Sequence, residues 1–535
     1  MKSIFIAQKY RRTWFILMIL SLTTITSSAQ KEGLKAINQE NLRSYMTFFA
    51  SDEMKGRETG TDANDAAALF IKSNLMRLNV RPATGMMDYY QEIPFQATSL
   101  RTVFTLNAAG EKFSTDSVIL FAQPAIPEIS GEVVFAGYAY QDEKSGYSDL
   151  KDVDMKDKIV LFMTGVPGPK DPAENAAVFN NKEQQKFLPL FQKGPKAIFI
   201  VYNPSSPFTD PYKSGLADMV GSSIVEFEGT LGKSAPTTPV HIGFITKGTA
   251  DMMLKSSGSD LNQLQQKIDA TQKPSSFTVE GVSLNVQTVM KKDHFKGRNV
   301  IGFIEGSDPV LKNECVVYTA HFDHTGTGKK GEVYNGADDD ASGSMVLLEV
   351  ANAFMNLKKR PLRSALFVWV NAEEKGLLGS KYYTENPVIP LKNTLLDINL
   401  DMVGRSKLPS DTGKVFGYDL TVTMPGELQV YTAHESSDVT RMLAASASDA
   451  GIKIIDKGKD LEFGGSDHES FWNKDVPAIF LHSGIHADLH RTGDDVDKID
   501  FDKMEKTAKL VFLLGYRIQN QKERIKVDNP GALKE

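Results

Sequence analysis

Residues 315–324 read CVVYTAHFDH, and this stretch decides the fold. A run of apolar and small residues without a charge or a turn former predicts a strand that is buried on both faces. The run ends at two histidines and an aspartate, which a buried strand does not tolerate without partners. We therefore expect a parallel sheet covered by helices, with the polar end of this strand at the edge where ligands bind.

The same pattern recurs through the C-terminal half of the chain. Strand-like runs alternate there with helical ones, including an amphipathic helix at about 344–357 and a second helix near 376–386. This alternation indicates an α/β fold with a mostly parallel central sheet flanked by helices. The runs that predict the strands are NVIGFIEG, CVVYTA, SALFVWVNA, LLDINLDMV and VPAIFLHSG.

Two regions of different character precede this pattern. Helical spacing predicts two helices between residues 41 and 80, joined by the turn KGRETGT. Residues 101–284 carry short β-like runs between Pro, Gly and Ser turns, without a strong cluster of His, Glu and Asp. The predicted organisation is a signal peptide at 1–29, the N-terminal part of the main α/β domain at 30–100, an inserted β-rich domain at 101–284, the main domain at 285–519 and a polar tail at 520–535.

Composition and charge exclude several classes of protein. With 41% hydrophobic and 24% charged residues among 535, the chain is typical of a globular protein of two or three domains. Four basic residues, the apolar run WFILMILSLTTI and the small residues SSA predict a secretory signal that is cleaved after Ala29. Removing it changes the formal net charge from −6 to −10, because the signal carries no acidic residue. That charge argues against nucleic acid and anionic membranes, and no later stretch predicts a membrane span.

Side chains able to bind metal follow four of the predicted strands. Because the carboxyl ends of parallel strands meet at one edge of a sheet, we expect these side chains to converge. The acidic stretch NGADDDASG at 335–343, just before a predicted helix, belongs to the same edge. The residues delivered there are His321, Asp323 and His324, then Glu373 and Glu374, then Asp401, and finally His486, Asp488 and His490.

These residue types suit a pair of divalent metal ions. Imidazole and carboxylate are ligands of zinc, and a catalytic zinc keeps one position for water. Two ions roughly 3.5–4 Å apart need a bridging group, and a carboxylate offers two oxygens for that purpose. One aspartate of the triplet 338–340 would bridge, the small residues around it would let the backbone approach closely, and Ser342 would cap the following helix.

Five of these segments resemble the co-catalytic zinc aminopeptidases. That family includes bacterial leucine aminopeptidase, aminopeptidase S and vacuolar aminopeptidase Y, with glutamate carboxypeptidase II as a more distant member. The early segment ASDEMKGRETGT is similar to the family's opening segment, so the likeness spans about 45–90 and 293–500, and the insert resembles a protease-associated domain. The segments that carry the resemblance are HFD, NGADDDASG, NAEEKGLLGS, LDMVG and LHRTGDD.

The resemblance implies a role for each matching residue. The middle aspartate of the triplet would bridge two zincs, the first glutamate of the EE pair would be the general base, and the aspartate of HFD would orient the imidazole before it. Adjacent residues that leave a strand point in different directions, so one glutamate can hold metal while the other reaches water. The implied ligands are His321 and Asp401 on one zinc, Glu374 and His490 on the other, and Asp339 on both, with Glu373 and Asp323 as catalytic residues.

Other polar residues near these positions receive different interpretations. His324 and His486 are expected to be polar loop residues and not ligands. Asp338 and Asp340 are expected to be solvated or to cap backbone N–H groups. For the Asp-His pair in GGSDHESFW at 464–472, a packing role and a role in the substrate pocket stay equally open.

The resemblance implies an exported zinc-dependent exopeptidase, secreted or periplasmic, that removes N-terminal residues from peptides. Glu373 would take a proton from the attacking water and return it to the leaving amine. Two other reactions stay open, namely glutaminyl cyclisation with a single zinc and carboxypeptidase activity of the glutamate carboxypeptidase type. A non-catalytic protein of the same fold, such as transferrin receptor, would lack ligands, and none is missing here. The pattern predicts neither the preferred side chain nor the oligomeric state.

Overall fold

The computed structural model covers most of the chain. The predicted signal peptide at 1–29 and the last six residues of the predicted tail lie outside the described residues. Within the described part, none of the helices combines the length and the apolar character that crossing a membrane requires. The described residues are 30–108, 111–115, 118–121, 128–168, 181–206, 223–228, 240–328, 331–415, 418–431, 435–458 and 465–529.

The chain divides into two compact units. The first comprises the described parts of Met1–Ile93, Gly297–Asp411 and Thr421–Glu535, and the second those of Pro94–Lys296 and Thr412–Leu420. The second unit is thus longer at both ends than the 101–284 insert drawn from the sequence, and it includes a short segment from later in the chain.

The first unit contains the mostly parallel sheet that the strand–helix alternation predicts. Its four central strands are parallel, in the order Ser364–Val370, Cys315–His321, Thr394–Leu400 and Ala478–His482. Residues 300–304 of the strand Ser276–Ile304 add an antiparallel neighbour on one side. On the other side, Glu427–Tyr431 pairs antiparallel with Ala478–His482 and parallel with Lys453–Gly458, two strands that the sequence did not predict. The remaining paired segments of this unit are Gly326–Thr327 and Val333–Tyr334.

Helices cover this sheet, and the central strands are buried throughout. Every residue of Cys315–His321, Ser364–Val370 and Thr394–Leu400 is buried, which explains their continuous apolar character. The α-helices are Gln39–Phe49, Asp62–Arg77, Gly343–Met355, Leu378–Glu385, Ser437–Ala450, His468–Trp472 and Phe501–Gln519, with 3₁₀ turns at Asp52–Arg57, Leu311–Asn313, Leu391–Asn393 and Val496–Lys498 and a π-helical turn at Ala337–Ser342.

The second unit is also built of strands and helices. Its sheet contains three successive parallel pairs, Glu128–Ala136 with Ile159–Met163, the latter with Ala197–Val201, and that strand with His241–Ile245. Residues 276–287 and Val118–Phe121 are antiparallel neighbours at the two ends of this series. The remaining elements are the strands Tyr90–Ala108, Glu111–Thr115, Gln141–Asp142, Tyr147–Ser148, Ser223–Phe227, Lys414–Val415 and Tyr418–Asp419, the helices Asn181–Gln192, Lys247–Leu254 and Leu261–Thr271, and a 3₁₀ turn at Lys255–Ser257.

Candidate metal centre

The strand ends of the first unit bring the predicted ligands together. His321 is the last residue of its strand, and Asp401 directly follows Thr394–Leu400. Glu374 lies four residues beyond Ser364–Val370, and Asp339 lies in the π-helical turn before the helix Gly343–Met355. Since parallel strands end at a common edge, residues far apart in the chain meet there.

His321, Asp339 and Asp401 form one cluster, called here the His321 group. The Nε2 atom of His321 lies 3.2 Å from Oδ1 of Asp339 and 3.5 Å from Oδ1 of Asp401. The imidazole is 1% exposed and the Asp339 side chain 5% exposed. Three potential metal ligands therefore face one small, buried volume.

His324, Asp339, Glu374 and His490 form a second cluster, called here the His490 group. The Nε2 atom of His490 lies 3.0 Å from Oδ2 of Asp339 and 3.2 Å from Oε2 of Glu374. Asp339 belongs to both clusters, with Oδ1 towards the His321 group and Oδ2 towards the His490 group. This is the arrangement that a bridging carboxylate requires.

Several of the close atoms in these groups lack a hydrogen-bond partner. Nε2 of His321, Nδ1 of His324, Oε1 of Glu374 and Oδ1 of Asp401 are all buried without a hydrogen-bond partner in the described part of the chain. Such atoms are costly unless something else binds them. A tetrahedral zinc with bonds of about 2.0–2.2 Å holds its ligand atoms about 3.3–3.6 Å apart. The observed separations of 2.8–3.7 Å lie on both sides of this spacing, so side-chain shifts of about 0.5 Å or less would let these residues hold a metal ion.

The surroundings shift the pKa values of Asp339 and of Glu373 in opposite directions. Burial acts to raise the pKa of Asp339, but His324, His321 and His490 hold it well below its ordinary value. Burial raises the pKa of Glu373 well above its ordinary value, and Asp401 and Glu374 raise it further. One carboxylate is thus kept ionised at the centre of the site, whereas the other is disposed to take up a proton.

The backbone carbonyl of Asp323 contacts His321, and its side chain contacts other residues. The Nδ1–H of His321 donates to the backbone carbonyl of Asp323 at 3.1 Å, whereas the Asp323 carboxylate is 3.8 Å from that nitrogen. Oδ1 of the carboxylate instead accepts from the backbone N–H of Glu373 at 3.1 Å, and Oδ2 accepts from Thr59. The carbonyl therefore orients the imidazole with Nε2 towards the metal position, and the carboxylate holds the segment that carries Glu373.

The flanking aspartates of the triplet are fully buried, so of the two roles expected for them the solvated one is wrong and the capping of backbone N–H groups is the one observed. Oδ1 of Asp340 accepts from the backbone N–H of Gly343 at 2.9 Å and of Met402 at 3.1 Å. Oδ1 of Asp338 accepts from Gly404 at 2.6 Å. Both carboxylates therefore bind backbone N–H groups and fasten the loop that carries Asp339.

Ser342 does not cap the helix that follows it. Its hydroxyl donates to the Asp338 carbonyl at 2.8 Å and accepts from the N–H of Val403 at 2.9 Å. Asp340 binds the N–H of Gly343 in its place. The carboxylate of Asp340 therefore caps this helix, and the Ser342 hydroxyl instead links Asp338 to Val403.

Sequence reasoning missed His324, Asp494 and Arg57. His324 was interpreted as a loop residue but is fully buried within the His490 group, and its position three residues after His321 was the available signal. Asp494 accepts from the N–H groups of Asp338 and Asp339 at 3.0–3.1 Å. The guanidinium of Arg57, also fully buried, donates to the carbonyls of Phe322, Phe49, Asn335 and Gly336 at 2.7–3.0 Å.

Three further residues near the centre lie outside both groups. Nε2 of His486 is 3.4 Å from Asp338, and His486 joins neither group. The ring of His468 stacks on Phe480 at 4.8 Å, and burial lowers its pKa to about 3, so His468 serves packing. Burial raises the pKa of Asp467 to about 7.

Comparison with known proteins identifies the part of the chain that carries this centre. Residues 299–514 match the model of Peptidase family M28. Leupeptin-inactivating enzyme 1 of Streptomyces exfoliatus is 30% identical over 203 residues, which cover 38% of this chain and 39% of that protein. A probable leucine aminopeptidase of Arthroderma otae is 27% identical over 218 residues, covering 39% of this chain and 56% of that protein. The chain thus matches about half or less of the length of these curated relatives.

A solved structure extends the likeness to nearly the whole fold. The aminopeptidase from Aneurinibacillus sp. strain AM-1 superposes with a TM-score of 0.57, covering 91% of this chain and 95% of that one, at 22% identity. At this identity the likeness concerns the fold alone.

Proposed function

We propose that this chain is a zinc-dependent aminopeptidase, because residues 299–514 match the model of Peptidase family M28. The observation that supports this proposal most directly is Asp339, whose two carboxylate oxygens face two separate groups of ligands. We assign one zinc to each group, with Asp339 shared. The five residues assigned from the sequence are all members of these groups.

Glu373 is proposed as the general base. Zinc in such a centre polarises a substrate carbonyl and lowers the pKa of water. Glu373 belongs to neither ligand group and directly precedes the proposed ligand Glu374, which suits a residue that takes a proton from water and delivers it to the leaving amine. Asp323 positions it through the hydrogen bond to its backbone N–H. The substrate's free α-amine would lie close to the buried carboxylates, which favours an exopeptidase.

The substrates are proposed to be peptides with a free N-terminus. A signal at 1–29 would direct the protein out of the cytoplasm, and the second unit would correspond to a protease-associated domain beside the peptidase domain. Glutaminyl cyclisation needs a single zinc, so a carboxylate shared between two ligand groups favours hydrolysis over that alternative.

A peptide library with free N-termini, digested by the zinc-loaded protein and read by mass spectrometry, tests the proposal. We expect single residues to be lost from the N-terminus, and a chelator to stop the reaction. The matched control is the same library with acetylated N-termini, which should stay intact. Loss of C-terminal residues from the acetylated peptides would identify a carboxypeptidase, and ring closure of N-terminal glutamine would identify a cyclase; either result would reject the aminopeptidase.

A further inference from the structure

The two ligand groups contain different numbers of side chains. Resting on the proposed zinc centre, we propose that His324 is a fourth protein ligand in the His490 group. The protein then fills the coordination sphere of that ion, whereas the ion in the His321 group has three protein ligands and keeps an open position. The two zincs would thus have different roles. The one in the His490 group would be fully coordinated by the protein, and the one in the His321 group would be open to water and substrate.

The position of His324 carries this inference. Its imidazole is fully buried, with Nδ1 2.8 Å from Oε1 of Glu374 and 3.7 Å from Oδ2 of Asp339. Its ring lies 5.5 Å from that of His490 at an interplanar angle of 74°, so the two imidazoles approach the same volume from different sides. Gly336, at a φ of +55°, makes room for it, because a Cβ there would lie 2.5 Å from the His324 ring.

A simple ion pair with Glu374 does not account for this geometry. Neither ring nitrogen of His324 has a hydrogen-bond partner in the described part of the chain, although Oε1 of Glu374 is 2.8 Å away. Both atoms face the same volume with lone pairs that are not used in a hydrogen bond, and a metal ion between them would bind both while separating them to about 3.3–3.6 Å. Without an ion, burial would remove the polar imidazole from water with no interaction to compensate for the lost hydration, which is unfavourable.

The difference between the groups has chemical consequences. Two imidazoles and two carboxylates complete a tetrahedral zinc site, as in closed sites, whereas one imidazole and two carboxylates leave a position for water. The His490 group should therefore fill first and release its ion last.

Stepwise zinc titration of the full-length metal-free protein against a chromophoric chelator tests the order of binding. We expect two steps separated by about tenfold or more in affinity. His324→Ala should weaken only the tighter step, by about 10–100-fold, and Asp401→Asn only the weaker one. The matched control is His241→Ala, which removes a buried histidine of the second unit. Two equal steps in the wild type, or an unchanged tight step in His324→Ala, would overturn the inference.

Nitrogen NMR of the wild-type protein with labelled histidines gives a second test that needs no variant. In the zinc-loaded protein three histidines should be coordinated, two through Nε2 and one, His324, through Nδ1. Coordination of only two histidines, both through Nε2, would refute the fourth ligand. Neither measurement depends on turnover, so unequal binding without peptide cleavage would reject the aminopeptidase proposal alone, and cleavage with equal steps would reject this inference alone.

Discussion

Removing the buried guanidinium of Arg57 should destabilise the first unit. Arg57→Met keeps most of the aliphatic volume but deletes four hydrogen bonds to backbone carbonyls, which stay buried. Hydrogen bonds from a charged group contribute at least about 1.5 kcal/mol each, or about 6 kcal/mol together. Burial opposes this by lowering the pKa of Arg57 from 12.5 to about 10, a cost of about 3 kcal/mol. The expected net loss is about 3 kcal/mol.

Urea unfolding followed by tryptophan fluorescence measures this loss. Trp369 and Trp472 both lie in the first unit, and Trp369 is fully buried, so the signal follows that unit. The matched control is Arg81→Met, which removes an exposed guanidinium and keeps the backbone pairing with Phe303, and should change the free energy of unfolding by less than about 0.5 kcal/mol. A loss of less than about 1 kcal/mol in Arg57→Met would show that the four carbonyls are satisfied without the guanidinium, and would refute the reasoning.

Three other changes probe the centre and its surroundings. Glu373→Gln should lower kcat on a free peptide by about 10²–10⁴-fold while metal analysis still finds zinc bound, because Glu373 belongs to neither ligand group; undiminished turnover would exclude it as the base. Asp339→Asn should lower the zinc content below that of the wild type, since it weakens a ligand common to both groups, and equal zinc contents would contradict the bridge. His468 is buried in its neutral form, with a pKa lowered from 6.5 to about 3, so its contribution to stability is present above pH 6.5 and is lost as the pH falls towards 3. Between pH 7 and pH 5 the wild type should lose about 2 kcal/mol that His468→Phe does not lose, as measured by urea unfolding; equal losses would disprove this.

The sequence predicted the central part of the fold because that part has a local signature. A strand buried on both faces must be apolar throughout, so Cys315–His321 and its parallel neighbours stand out as continuous runs. Glu427–Tyr431 and Lys453–Gly458 were missed for the same physical reason. Neither strand is a continuous apolar run: Lys453–Gly458 is the outermost strand, where partial exposure permits a mixed composition, and polar residues interrupt the buried strand Glu427–Tyr431.

The candidate site was only partly predictable. Residues at the end of a buried strand or directly after it, such as His321 and Asp401, can be placed at the sheet edge from the sequence alone. The capping role of Asp340 was one of two alternatives, because its partner Gly343 is only three residues away, whereas the partners of Ser342 and His324 lie on other loops and have no local signal.

By itself the sequence determined which side chains reach the edge of the sheet. The order of apolar and polar residues indicates which strands are buried and at which end each strand carries polar side chains. Only the tertiary structure decided how those side chains divide between two groups and what fastens them. His324 joins Glu374 across 50 positions of sequence, and Arg57 joins carbonyls up to 279 positions away. Such contacts depend on how separate loops pack against one another, and no local pattern encodes that packing.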